Sequence, residues 1–265
     1  MRSLLDATTR RSALVALGQS ALVLSVAGTL GDSARAEPAT AEPQGAKQLS
    51  ELRRTLSGFK RRRGFPSVPF ILNDERYWDR EAAEVLLSYN YPHRQMWENT
   101  ELAGQCVNLM REATNGQVFS HGNKDFLAIS ATHGSAHLAL FNQQAWEKYG
   151  LAEKTDGKFA SNSFIIERPG TSPHDDIQDL DGFYGPSNNN IISLQRRGMV
   201  FVGCHDSIHA IARGLRSSPA LSSIPADEIA ADLTNSLIPD VILVPSVVAF
   251  IAELQRSGYS YAKGT

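Results

Sequence analysis

The sequence predicts an α/β fold built on an open, mostly parallel sheet with helices on both faces, preceded by an N-terminal arm and two helices. From residue 125 onward, short apolar runs alternate with helical patterns of roughly ten to fifteen residues, as βαβ units require. The runs "DFLAISAT" and "MVFVG" are almost continuously apolar, which is typical of strands that are buried on both faces. No internal repeat suggests a solenoid or propeller instead.

The first 36 residues are predicted to be a twin-arginine-type signal peptide. Arg10 and Arg11 precede a mildly apolar run, and Ala34-Arg35-Ala36 fits a small-residue cleavage site. Glycines and polar residues interrupt the run, so no stable membrane span is expected once the signal is removed. An ordinary secretory signal that contains two arginines is the alternative. Either signal predicts an exported protein, and the twin-arginine pattern predicts a periplasmic one.

Charge and cysteine content narrow the class of protein. The formal net charge is −2, and loss of residues 1–36 removes four arginines and two aspartates, which leaves −4. A mildly acidic chain is not expected to bind nucleic acid. The chain has only Cys106 and Cys204, which are too few for a disulfide framework.

Residues 37–76 are predicted to be a linker or arm, and residues 77–265 the α/β domain with a helical extension at its start. Within the arm, residues 48–59 indicate one short helix. The stretch 60–70 is basic and then broken by prolines. We expect this basic run to be solvated, with docking to a partner as the alternative.

The remaining elements follow from hydrophobic spacing and from turn residues. Cys106 falls on the apolar face of the second predicted helix, which makes it a core residue. A polar loop is expected over 167–187. The predicted helices are 76–89, 99–116, 135–150, 188–198, 206–215, 225–237 and 246–258, and the predicted strands are 125–132, 162–166, 199–203, 240–245 and 259–263.

Residues capable of chemistry come directly after the predicted strands. His133 follows one strand, and Cys204 and His205 follow another. Ligands of open parallel sheets bind at the carboxyl ends of the strands. If these two strands are neighbours, His133 and Cys204 share one crevice.

Cys204 ends a strand and begins a helix. Unpaired N–H groups at a helix start stabilise a thiolate and raise its reactivity. Asp206 opposes this effect, and a protonated His205 assists it. The alternative is an inert thiol packed beneath the turn.

The histidines also permit a metal site. His133 and His137 are four residues apart, as are His205 and His209, so each pair lies on one face if its segment is helical. With Cys204 they offer the imidazole and thiolate ligands that suit zinc or copper. The alternative is that His209 is a core residue. No other cofactor is expected, because no dinucleotide-binding or Walker A motif is present.

Three stretches, taken in order, resemble the DsrE/DsrF-like sulfur-relay family. They are "ISATHGSAHLALFNQQAWEKYG", "GMVFVGCHDSIHAIARGL" and "DVILVPSVVAFIAELQRSGYSYAK", and they cover roughly the last half of the chain. The chain looks most like the exported members with twin-arginine signals. The resemblance implies an open α/β fold that assembles as a homo-oligomer. It also implies that Cys204 accepts sulfur as a persulfide and exchanges it with a donor or acceptor protein.

Three functions therefore stay open. The favoured one is a periplasmic sulfur-handling protein in which Cys204 is the acceptor nucleophile and His205 or His133 its electrostatic or proton-transfer partner. The second is a non-enzymatic module that binds a metal or a small molecule. The third is an accessory subunit of an exported complex, with the arm as its docking element. Whether the protein is an enzyme is left open.

Overall fold

Five parallel strands among the described residues form one open sheet in the order β4-β3-β2-β1-β5. The structure is a computed structural model that describes residues 40–264, so the predicted signal peptide lies outside it. The strands are β1 Arg94–Asn99, β2 Leu127–Thr132, β3 Val200–Cys204, β4 Ile242–Val244 and β5 Ser260–Lys263. The prediction of an open parallel α/β sheet is confirmed.

Helices cover both faces of this sheet. The α-helices in the described part are α1 Gln48–Gly58, α2 Arg80–Ser88, α3 Cys106–Asn115, α4 Gln143–Tyr149, α5 Ile191–Arg196, α6 His205–Leu215, α7 Ala226–Asn235 and α8 Val247–Arg256. Shorter 3₁₀ segments are Glu75–Tyr77, Gly134–Leu140, Leu151–Thr155, Ser163–Ile165 and Pro186–Asn188, and a π-helical turn spans Gly116–Ser120. Among residues 40–264, no helix has the length and apolar character needed to cross a membrane.

Each face of the sheet has its own hydrophobic core. Because side chains alternate along a strand, Val202 and Cys204 pack on the face covered by α1, α2 and α8, while Phe201 packs on the face covered by α3 to α7. The side chain of any residue near the carboxyl edge is therefore assigned to a face by its position in the strand.

The strand β1 was not predicted from the sequence. It lies between α2 and α3 and pairs with both β2 and β5, so the sheet begins well before residue 125. Only Met96 and Asn99 of this strand are buried. The two helices predicted as an extension are found as α2 and α3, but they pack on opposite faces of the sheet rather than preceding it.

The segment predicted as an arm is packed against the sheet. Its helix α1 buries Leu49, Leu52 and Leu56 in the same core as α2 and α8. A Cβ at Gly198, just before β3, would lie 2.7 Å from the side chain of Leu49. From residue 40 onward, the chain therefore belongs to the compact unit of the fold.

The arginines of the basic run are bonded within the domain, whereas Lys60 is exposed as expected. Arg62 forms an ion pair of 2.6 Å with Glu81, and Arg63 forms one of 3.2 Å with Asp79. Arg63 also donates to the carbonyl of Val241, immediately before β4. Two of the four basic residues of the run are thus paired with carboxylates of the domain.

Two further predicted elements differ from the structure. Residues 162–166, predicted as a strand, contain the 3₁₀ segment Ser163–Ile165. The helix predicted over 135–150 is divided, because Phe141 pairs with Leu237 in an isolated bridge and Asn142 then caps α4 by accepting from the N–H of Ala145. The first half of that segment is consequently a 3₁₀ helix, and this changes where its histidines lie.

Candidate functional site

Four adjacent strands bring a thiol, an imidazole, a carboxylate and a phenol to the carboxyl edge of the sheet. The thiol belongs to Cys204 at the end of β3, and the imidazole to His133 just after β2. The carboxylate belongs to Glu98 near the end of β1, and the phenol to Tyr261 on β5. Glu98 shares the strand face of the buried Met96, which is the face that Cys204 also occupies. The order of the strands in the sheet therefore sets the order of these groups.

His133 is held by a carboxylate from the neighbouring strand. Its Nε2 lies 3.0 Å from Oε1 of Glu98, and the two side chains are about one-fifth exposed. The other carboxylate oxygen of Glu98 accepts the hydroxyl of Tyr261. This bond and the one to His133 lower the pKa of Glu98, and the bond to Glu98 raises the pKa of Tyr261. Glu98 is thus held as an anion that orients the imidazole.

Cys204 and His133 stand at the ends of neighbouring strands, which is the condition under which the sequence predicts that they share one crevice. Thr132 and Gly203 are register partners, so Cys204 and His133 each stand one residue beyond the same pair. Adjacent strands are about 4.8 Å apart. The backbone of His133 is extended (φ −147°, ψ −173°), so its side chain continues the alternation of β2 on the face of Cys204.

Cys204 lies at the start of two helices. Cys204 is the N-cap residue of α6, and its Sγ accepts the N–H of Val247, the first residue of α8, at 3.4 Å. The side chain of Cys204 makes no capping bond to α6, so its sulfur meets a helix start only at α8. The residue is only 3 % exposed, so the start of α8 covers the thiol.

His137 lies away from this group. The 3₁₀ geometry of Gly134–Leu140 has three residues per turn, so His133 and His137 do not share a face as they would in an α-helix. His137 is fully buried against Phe141. Its Nε2 would be 3.0 Å from a Cβ at Gly203, which places it on the opposite face of the sheet from the Cys204 side chain.

His205 and His209 do share a face of α6, but that face is covered. Residues 65–71, called here the strap, lie across it. The Nε2 of His205 donates to the carbonyl of Pro69 at 2.8 Å, and the ring of Phe70 packs edge-on against His209. Both histidines are 1 % exposed. The interpretation of His209 as a core residue therefore fits the structure, and His205 has the same surroundings.

The five predicted metal ligands consequently lie in three places. His133 and Cys204 are at the carboxyl edge of the sheet, His137 is on the opposite face of the sheet from Cys204, and His205 and His209 are under the strap. Within residues 40–264, no three His, Cys, Asp or Glu side chains are grouped to hold a metal ion. The zinc or copper site, which was the alternative interpretation, is not found in this part of the chain.

The buried histidines lead us to expect that acid destabilises the fold. Burial lowers the pKa of His205 to about 4 and that of His137 to about 3, below their ordinary value of 6.5. Between pH 6.5 and these values the unfolded chain binds protons that the folded chain does not, so stability falls as the pH drops. Each pKa unit corresponds to about 1.4 kcal/mol.

Urea unfolding at pH 7, 6 and 5 measures this effect, because most carboxylates do not titrate in that range. We expect the free energy of unfolding to fall by a few kcal/mol in total. The His137→Leu variant should show a shallower slope. A free energy that is constant or rises toward pH 5 would contradict the expectation.

A groove opens next to His133 on the other face of the sheet. It has a volume of about 300 Å³ and runs between α6 and the 3₁₀ segment after β2. Its lining includes Leu138, Ala210 and Ile211, with Lys154 as its one charged residue. The N–H of Gly134 donates to Ser207 at the end of this groove. The groove is therefore apolar, with a cation and a hydroxyl at its margin.

Glu98 and Tyr261 were not among the residues predicted for the site. Glu98 follows Trp97 in a stretch without apolar alternation, and its strand was not predicted. Tyr261 lies on β5, which was predicted as an edge strand, but the strand next to β5 could not be identified from the sequence.

Comparisons with protein-family models, with curated proteins and with solved structures find no match for this chain.

Proposed function

We propose that this chain is an exported sulfur-handling protein in which Cys204 accepts a sulfur atom as a persulfide. The observation that carries the proposal is the arrangement at the carboxyl edge, where Cys204 and His133 stand one residue beyond the same register pair of neighbouring strands and a carboxylate orients the imidazole. A thiol, a base and a group that orients the base are the parts that nucleophilic catalysis uses. His133 takes the role of base, whereas His205 is committed to the carbonyl of Pro69.

The proposed step transfers one sulfur atom from a low-molecular-weight persulfide, R–S–SH. His133 takes the proton of the Cys204 thiol, and the thiolate attacks the outer sulfur of the donor. The S–S bond of the donor breaks, and its electron pair leaves with R–S⁻, which takes the proton from His133. The products are the Cys204 persulfide and R–SH, so atoms and electrons balance without a further oxidant.

Burial of the thiol requires an opening step. The N–H of Val247 contacts Sγ directly, so a donor reaches the sulfur only when the turn between β4 and α8 moves. The same burial would protect the persulfide in an oxidising compartment, where an exposed thiol tends to oxidise. The proposal therefore includes an opening of this turn, because the thiol is 3 % exposed.

Intact mass measured after incubation with glutathione persulfide tests the proposal. We expect the wild-type protein to gain the mass of one sulfur atom on the peptide that contains Cys204. Cys204→Ala should abolish this gain, and His133→Gln should slow it. Cys106→Ala is the matched control, because Cys106 is also free and buried and should not affect loading. Loading that survives Cys204→Ala would refute the proposal.

A small-molecule binding module is the second candidate, and the groove beside Gly134 is the observation that favours it. A groove of about 300 Å³ is in the range of small-ligand sites. Ile211→Trp would fill the groove without touching the thiol. If this variant loses a ligand that co-purifies with the protein and still accepts sulfur at Cys204, the groove has a function of its own.

A further inference from the structure

Two arginines are buried beneath the loop that joins the 3₁₀ segment Ser163–Ile165 to α5. Arg197, immediately after α5, is 4 % exposed, and Arg111, on α3, is 9 % exposed. Within residues 40–264, Arg197 forms no ion pair, and Arg111 has only a contact of 3.4 Å with its exposed neighbour Glu112. The two guanidinium groups therefore lack the buried carboxylate that usually accompanies such charges.

The donors of these arginines are only partly used. Nη2 of Arg197 donates to Oδ1 of Asn115 at 2.7 Å, but its Nη1 is buried without a partner. Nε of Arg111 is likewise buried without a partner. Burial lowers the pKa of Arg197 to about 10, and the charge of Arg111 adds to that effect. An anion would use the free donors and offset both charges.

Tyr184, from the loop, occupies the place that an anion would take. Its backbone carbonyl accepts from Nη1 of Arg111 at 3.2 Å and from Nδ2 of Asn115 at 3.1 Å. The guanidinium of Arg197 lies over its ring, 5.1 Å from the centroid. One oxygen with partial negative charge is thus held by Arg111 and Asn115, next to Arg197.

We propose that Arg111 and Arg197 form a binding site for a small tetrahedral oxyanion, phosphate or sulfate, which is blocked by Tyr184 in the structure described here. Guanidinium groups bind such anions through paired N–H donors. Entry of the anion displaces the Tyr184 carbonyl and opens the loop. Within the loop, Asp175 accepts the N–H groups of Ser172 and Phe183, so those two bonds help to hold the adjacent Tyr184 in place and oppose anion binding.

Calorimetric titration of the purified protein with inorganic phosphate and with sodium sulfate, at a constant ionic strength set by chloride, tests the proposal. We expect one site per chain for each oxyanion. Arg197→Met should raise the Kd about tenfold or more, which is the loss of one charge-assisted hydrogen bond. Arg256→Met is the matched control, because Arg256 is exposed and its replacement should leave the Kd unchanged.

A second variant covers the case in which Arg197→Met does not fold. Asp175→Asn weakens the loop without touching either arginine, so it should lower the Kd, because less of the binding energy is spent on opening the loop. Absence of saturable binding by both oxyanions would overturn the site. So would equal binding of acetate, or a Kd that Arg197→Met leaves unchanged. A Kd that Asp175→Asn raises or leaves unchanged would overturn the role of the loop.

Discussion

Replacing Asp79 with alanine is expected to lower the free energy of unfolding by about 3–5 kcal/mol, the range for removal of one partner from a buried ion pair. Asp79 is 3 % exposed. Its carboxylate accepts the N–H of Leu243 on β4 at 2.8 Å and pairs with Arg63 at 3.2 Å. Without it, a buried strand N–H loses its acceptor, a largely buried guanidinium loses its ion-pair partner, and the segment before the strap loses one of its attachments to the sheet.

Glu81→Ala is the matched control for this prediction. Glu81 pairs with the adjacent Arg62 at 2.6 Å, but its side chain is about half exposed. Loss of an exposed pair costs about 0–1 kcal/mol. Urea unfolding followed by circular dichroism compares the two variants. Equal losses would show that burial of Asp79 does not determine the cost.

Replacing Gly134 with alanine is expected to destabilise the protein and to disturb the candidate site. Gly134 has a φ of +59°, and a Cβ there would lie 2.7 Å from the carbonyl oxygen of Thr100. The left-handed conformation costs an alanine about 1–2 kcal/mol, and relief of the clash costs about 1–3 kcal/mol more. Because Gly134 follows His133 directly, the shift should also slow sulfur loading at Cys204.

Gly122→Ala separates the two contributions. Gly122 has a φ of +72°, but nothing lies within 4 Å of a Cβ at that position. It should therefore lose only the conformational part of the stability and keep the rate of loading. If urea unfolding gives the same loss for both variants, the turn after β2 is able to yield and the clash has no energetic weight.

Where hydrophobic pattern determines the structure, the fold could be predicted from the sequence. β2 and β3 are continuously buried and lie where the apolar runs predict them. β1 could not be recognised, because its sequence RQMWEN has polar residues at both ends and a buried pattern that is not alternating. Its stability comes from pairing with β2 and β5, which are distant in the chain. The segment Ser163–Ile165 shows the converse error, since its apolar residues cover the core without joining the sheet.

The candidate site could be predicted only where its residues follow strands that were themselves predicted. Cys204 and His133 follow the two best-predicted strands, so their proximity could be expected once those strands were assumed to be neighbours. Glu98 depends on the unpredicted β1. His133 and His137 are not brought together for a different reason. A spacing of four residues places two side chains on one face only in an α-helix, and the segment that holds His137 is a 3₁₀ helix. Local spacing could not reveal the covering of His205 and His209 by the strap.

The pairing of β5 with β1 has a consequence for the way the protein is made. Tyr261 and Glu98, which contact each other, are 163 positions apart in the chain. A ribosome has therefore synthesised β1, β2, β3 and β4 before the segment that completes the anchoring of Glu98 emerges. Such long-range pairings form late and slowly in folding. An unfinished chain would hold Cys204 and His133 without the last group that fixes Glu98, so the site that we propose for sulfur transfer would be complete only after the whole domain has been made.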